Sequence, residues 1–305
     1  MNDLTEFKNV FDPVLNQYLD KKMEIFLANT NDHFIVNLIN HSKKLVENGG
    51  KRIRPYIAYL MYKALGGKEN EEILKLLISL ELFHTFALVH DDIIDRGKER
   101  HGVETIQQYV KEILEKETKT QDAIHVGNSQ AILVGDLLLK WAVQVFDEIE
   151  LENEKLAQVK TYFYKMIDDV CLGQIIDVDL SVRENFPKEM IDTKNRLKSA
   201  SYTFIRPLQI GMALVKTDEQ MEKFCESLGL ELGLAYQMQD DLMDRQEDLV
   251  GNQKNFSIGK TTTEIKKDSE AHLQTAEKLI AKSQLEKIGK EEFPELIAVL
   301  RNRTN

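Results

Sequence analysis

Two cysteines in 305 residues are too few for a disulfide framework. Cys171 and Cys225 both lie in apolar, helically periodic stretches, so buried reduced thiols of a cytoplasmic protein are the expectation. Proline is scarce at five, and glycine numbers 15. A turn-rich β architecture, which needs both at its corners, is therefore disfavoured. Positive charge is in deficit: 40 Lys and Arg stand against 51 Asp and Glu, a net charge of −11. That argues against nucleic acid as a partner, because a phosphate backbone is met by a basic surface. A small phosphorylated ligand stays open, since a local basic cluster can coexist with an acidic exterior. The most apolar stretch, 73–89, is broken by Lys75, Glu81 and His84, so no transmembrane segment is expected. The opening MNDLTEFKNVFDPV has neither the basic nor the apolar region of a signal peptide.

What is present is helical periodicity. Ile73, Leu76, Leu77, Leu80, Phe83 and Phe86 recur at three- and four-residue steps, as do Ile132, Leu133, Leu137, Leu139 and Val143. Similar patterns run through 162–180, 202–215 and 224–243. Breaks fall at Gly49-Gly50, Gly66-Gly67, 97–102, Phe186-Pro187 and 251–259. No alternating strand series and no long linker occur, so the chain reads as one all-α domain over 1–305. The polar stretch 107–121 predicts a solvated helix or surface loop, with a closing lid as the alternative. The tail from 282 predicts a docked last helix with a frayed basic end.

One short echo is chemically pointed: DDIIDR at 91–96 and DDLMDR at 240–245. On a helix Asp91 and Asp95 share a face, as do Asp240 and Asp244, and like charges so placed repel. Each cluster follows an apolar run, where massed carboxylates are costly unless a cation pairs with them. Mg²⁺ suits the pattern, taking one or two carboxylates and completing its octahedron with water and phosphate oxygens. A solvated acidic helix end is the plainer reading of one such cluster; two copies weaken it. GGKRIRP at 49–55 sets Lys51, Arg52 and Arg54 beside two glycines whose N–H groups could approach an anion. Arg100 and Lys198 are uninformative alone. Together with the aspartates they describe one metal-held and one cation-held diphosphate.

These segments resemble the trans-isoprenyl diphosphate synthase (polyprenyl synthetase) family, short-chain type. The likeness is carried by GGKRIRP at 49–55, ELFHTFALVHDDIID at 81–95, VGDLLL at 134–139, GQIID at 173–177, LKSASY at 197–202 and GLAYQMQDDLMD at 233–244. It implies a single-domain helical bundle of the isoprenoid synthase type with a central cavity. It implies a Mg²⁺-dependent prenyltransferase, with three ions, that condenses isopentenyl diphosphate with an allylic diphosphate. Asp91, Asp92, Asp95, Asp240, Asp241 and Asp244 would hold metal. Lys51, Arg54 and His84 match the isopentenyl diphosphate pocket, and Gly50 and His101 are substrate-binding candidates as well. Arg100 and Lys198 match contacts to the allylic diphosphate, Lys254 and Lys260 candidates for a lysine after the second motif, and Ser199 and Gln237 groups facing the cationic carbon. Phe83, Phe86 and Ala87 match positions that limit product length, suggesting C15 or C20. A homodimer is implied as well.

Two departures stand out. Where the family has paired arginines this chain has Arg100-His101, exchanging a fixed cation for one that titrates near neutrality, with weaker isopentenyl diphosphate binding expected. After the second motif GNQKN at 251–255 lacks the family's aspartate. A non-catalytic partner subunit of a heteromeric synthase therefore remains an alternative, as does a class I terpene cyclase.

Overall fold

The computed structural model describes residues 4–117, 122–183, 186–247 and 260–302, with backbone alone for 117 and 244–247. The fold is all-helical apart from one tiny hairpin among the described residues. By its contacts the chain divides into two compact units: residues up to 55 together with 70–150, and 56–69 together with everything from 151 on.

The first unit is built on α1 (Leu4–Leu27), α2 (His33–Glu47) and α4 (Glu71–Asp95). It continues through a hairpin of β1 (Glu99–Arg100) and β2 (Val103–Glu104) into α5 (Ile106–Glu117) and α6 (Ala123–Gln144). Helix α3 (Ile53–Ala64) begins in this unit and runs into the second. Two starts are capped as the sequence allows: the Asp32 side chain accepts from the Ile35 N–H at 3.0 Å, and that of Asn70 from the Glu72 N–H at 2.9 Å. Helix α4 is buried nearly all round, with Leu76, Leu77, Ile78, Leu80, Leu82 and Phe83 inaccessible. It and the stretch 123–147 are long and apolar enough to cross a membrane by length and composition, and α4 is the core helix of its unit.

Helix α6 departs from the periodic reading. Its buried face is Ala131, Val134, Gly135, Leu138, Trp141 and Ala142, whereas Ile132 and Leu133 stand exposed. A helix apolar on several sides gives no single phase for the pattern to select. The polar stretch after 106 is the helix α5, packed on α6 with Ile106 and Val110 buried; 118–121 lie outside the described residues.

The second unit contains α7 (Asn153–Val182), α8 (Lys188–Asn195), a π-helical segment (Arg196–Ile205), α9 (Arg206–Ala213), α10 (Glu219–Glu247), α11 (Thr262–Lys282) and α12 (Lys287–Arg301). The π segment packs against α7 and α10. Gly233 makes the second contact possible, since a Cβ there would lie 2.3 Å from Ala200 Cα. Helix α11 opens with a full capping box, Thr261 with Glu264. The tail docks as expected: Phe293, Leu296, Ile297 and Leu300 of α12 are buried, and Arg301 reaches Glu270 and Glu277 of α11 at 2.8 and 2.9 Å. Cys225 is buried, but Cys171 is exposed. It lies on the side of α7 where Leu172 and Ile175 also face outward, so the apolar company that suggested burial is itself uncovered.

Candidate active site

The cationic loop between α2 and α3 is more constrained than a surface turn. Gly49 N–H donates to Val46 O (3.2 Å) and Gly50 N–H to Asn48 O (2.9 Å), so the glycine donors are spent on the end of α2. The expectation that they approach an anion is not met. Arg52 is 2% exposed with a left-handed φ of 53°. Its Nε donates to Asp12 of α1 (2.9 Å) and Nη1 to Glu81 of α4 (2.6 Å) and Val46 O (2.8 Å). Nη2 donates to Glu47 O (2.9 Å), which leaves one of the five guanidinium N–H groups. Arg52 is therefore a fastening between three helices, and Lys51 beside it is exposed.

His84 lies one turn beyond Glu81 on α4. Burial, then the charges of Arg54, His101, Arg100 and Arg52, hold its imidazole well below the ordinary histidine range. His101 is depressed as well, by desolvation and by Arg100. That direction widens the contrast with the fixed cation an arginine would supply at this position. Its φ is 53°, and its Nε2 is 3.8 Å from where a Cβ on Gly50 would sit. The hairpin carrying Arg100 and His101 is tied to α2, with His41 Nε2 2.7 Å from Glu104 O.

The first carboxylate cluster closes α4. The helix ends at Arg96 in a left-handed conformation (φ 57°), and the N–H groups of Arg96 and Gly97 both return to Asp92 O. Asp92 is buried and gripped by Arg100, with Nη2 to Oδ1 at 2.5 Å and Nε to Oδ1 at 3.2 Å. Burial pushes its carboxyl up, against the pull of Arg100. Arg100, matched to the allylic diphosphate, is thus engaged with a carboxylate of the first motif. Gly97 permits the grip, because a Cβ there would be 2.7 Å from Asp92 Oδ1. Asp91 is half-buried and Asp95 exposed. Phe83 and Phe86 stand edge-tilted on the same helix with centroids 5.5 Å apart, Phe86 also meets His90 at 4.7 Å, and Ala87 is half-buried.

In the second unit a chain of polar groups runs from the π segment to α10. Ser199 Oγ donates to Gln237 Oε1 (2.5 Å), and Gln237 Nε2 donates to Asp241 Oδ1 (3.0 Å). Asp241 is 1% exposed and Asp240 half-buried. Lys198 Nζ is 2.9 Å from Asp177 of α7, which also takes Lys194 at 3.3 Å. Burial alone would raise Asp177; the two lysines outweigh it and hold it below the usual carboxylate range. Lys260 is exposed and bonded to Asp268 (2.6 Å). The side chain of Asp244, and all of Lys254, lie outside the described residues.

Three residues that sequence reasoning missed belong in this picture. Asp177 closes the GQIID run, and its spacing on α7 could have marked it as a partner for Lys198. Glu81 opens the 81–95 run but nothing in it marked this residue, and Asp12 lies in no motif; the importance of both comes from Arg52. Among the described residues no three His, Cys, Asp or Glu side chains gather closely enough to hold an ion by themselves. The donors are all-oxygen carboxylates at helical spacing. That fits Mg²⁺, which relies on water and phosphate oxygens for most of its shell, and does not fit a protein-only cage.

Comparison with known proteins agrees with this chemistry. The polyprenyl synthetase family profile matches residues 36–293. A short chain isoprenyl diphosphate synthase of Methanocaldococcus jannaschii is 29% identical over 261 residues, covering 85% of this chain and 71% of that one. An octaprenyl diphosphate synthase of Escherichia coli is 29% identical over 235 residues, covering 76% and 64%. A geranylgeranyl diphosphate synthase of Methanosarcina mazei matches over 58% of its own length. In fold, the chain superposes with a TM-score of 0.86 on a geranylgeranyl pyrophosphate synthase from Corynebacterium glutamicum complexed with isoprenyl diphosphate and magnesium. That structure is 24% identical, with 99% and 100% of the two chains covered. This chain belongs to the polyprenyl synthetase family.

Proposed function

We propose that this chain is a trans-prenyltransferase that joins isopentenyl diphosphate to an allylic diphosphate, releasing diphosphate and making a C15 or C20 product. One observation supports the reading: α4 has cationic side chains from other segments gathered near His84 and carboxylates of its own at its end. At His84 four cationic or potentially cationic neighbours depress the imidazole. Seven residues on, at about 1.5 Å per residue, the carboxylates begin. A phosphate gripped directly by cations and another gripped through metal fit side by side at roughly 10 Å. A cyclase, which handles one diphosphate, has no use for the first.

In this reading Lys51, Arg54 and His84 hold isopentenyl diphosphate with its double bond toward the allylic carbon, which removes much of the entropic cost of meeting. Asp91, Asp92, Asp95, Asp240, Asp241 and Asp244 would hold Mg²⁺, which when bound neutralises the departing diphosphate. Lys198 leaves Asp177, and Arg100 leaves Asp92, to meet the allylic phosphates. The Gln237 amide oxygen and the Ser199 hydroxyl present partial negative charge to the cationic carbon, a fixed dipole that costs no reorganisation. The allylic carbon–oxygen bond breaks to give diphosphate and a cation, the double bond of isopentenyl diphosphate attacks that cation, and the proton then lost passes to the released diphosphate.

Phe86 limits chain growth in this scheme. Purified protein incubated with Mg²⁺, isopentenyl diphosphate and each allylic substrate should give C15 or C20, and Phe86→Ala should give longer chains. Absence of any condensation product sinks the reading; an unchanged product length removes only Phe86. We also infer a homodimer, because α6 leaves Ile132 and Leu133 uncovered and α7 leaves Leu172, Ile175 and Val178 uncovered. Light scattering should give twice the 35.2 kDa chain mass.

A further inference from the structure

The loop at 49–55 has fewer disposable cations than its sequence suggests. Arg52 spends four N–H groups on Asp12, Glu81 and two carbonyls. Arg100 is bound to Asp92, and the residue beside it, His101, is a titratable group and not a fixed cation. Lys51 and Arg54 are the other cations of that loop, and isopentenyl diphosphate would bring roughly three negative charges at pH 7.

Helix α1 brings one more. Lys8, half-buried, places Nζ 3.3 Å from the carbonyl oxygen of Gly50. One turn later on α1, Asp12 accepts from Arg52. Residues four apart share a helix face, so the ion pair that fixes Arg52 also fixes where Lys8 reaches. The His101 ring lies beside the same glycine. An ammonium has three donors; Gly50 takes one, and two remain for phosphate oxygens. We propose that Lys8 is a cation of the isopentenyl diphosphate pocket, contributed by the N-terminal helix, which supplies the permanent charge that position 101 lacks. The inference rests on the function proposed above.

The test is isopentenyl diphosphate binding by calorimetry, alongside KM for both substrates, in the full chain and its Lys8→Gln, Lys8→Arg and His101→Arg variants. Lys8→Gln should weaken isopentenyl diphosphate by about 10-fold or more, the scale of one charge-assisted hydrogen bond. The allylic KM should move by less than about twofold. Lys8→Arg should restore most of the affinity. In a His101→Arg background the Lys8→Gln loss should shrink to about threefold or less, because the two cations share one task. Equal binding by wild type and Lys8→Gln overturns the proposal, as does a loss shared equally by both substrates or one that Lys8→Arg fails to rescue. A wild type that binds no isopentenyl diphosphate overturns the proposed function along with it.

Discussion

The hexapeptides at 91–96 and 240–245 differ only at their two apolar positions, yet the fold uses them differently. The first sits at a helix end. The chain leaves α4 through a left-handed Arg96, and a hairpin returns Arg100 to clamp Asp92. The second sits inside α10, where the helix runs on to Glu247 and Asp241 finds a neutral amide, Gln237, one turn back. A guanidinium compensates charge; an amide only hydrogen-bonds. The same six letters therefore give one cluster whose middle carboxylate takes a cation from a hairpin and one whose middle carboxylate takes an amide from its own helix, held in turn by Ser199 of the π segment.

The largest effect should come from the fastening behind the first cluster. Arg52→Met leaves Glu81 as a buried unpaired carboxylate, and chemical denaturation should show a loss of about 3–5 kcal/mol. No variant of the second cluster should cost as much stability. A larger cost for Gln237→Ala would erase the difference between the two clusters. Next, Asp92→Asn and Asp241→Asn should each lower kcat by about 10²- to 10³-fold with the fold retained. A cluster whose substitution leaves turnover intact is not part of the site.

Two glycines sharpen the comparison. Gly233→Ala drives a methyl into the backbone of Ala200 and should cost about 2–3 kcal/mol. At Gly97 the obstacle is the Asp92 carboxylate, which can shift. Gly97→Ala should thus cost only about 1 kcal/mol in thermal unfolding while weakening allylic substrate binding. The smallest effect is in pH dependence. His84 has a depressed folded pKa, so the unfolded chain takes up a proton first, and stability falls as pH drops below about 6.5. His84→Asn should flatten that limb. Asp177 of the second unit is depressed too, but as a carboxylate. Its contribution is complete above about pH 4 and is lost only as pH falls further, through its folded pKa.

The helical class was legible because apolar residues recur at three and four over nearly the whole chain, and the glycine pairs marked real helix ends. The clusters were legible because few structures tolerate carboxylates massed beside apolar runs without a cation. The rest depends on contacts distant in sequence. Nothing in KRIR distinguishes the buried Arg52 from its neighbours; Asp12 and Glu81 decide that. The exposed side of α6 was unreadable for the opposite reason, since Leu133 looks as suited to a core as Leu138. The hairpin at 99–104 is two residues per strand, too short for alternation to register.

The π segment at 196–205 has a consequence of its own. Turns closed by i→i+5 bonds hold more residues than ordinary helical turns, so the stretch behaves as a helix with surplus chain threaded into it. Removing one residue between Ser201 and Ile205 would let the coil tighten to the common pitch. Lys198 and Ser199 would then turn away from Asp177 and Gln237 without any change in their identity. Protein chemists comparing relatives by alignment should therefore read a single-residue gap in this stretch as a change of aim.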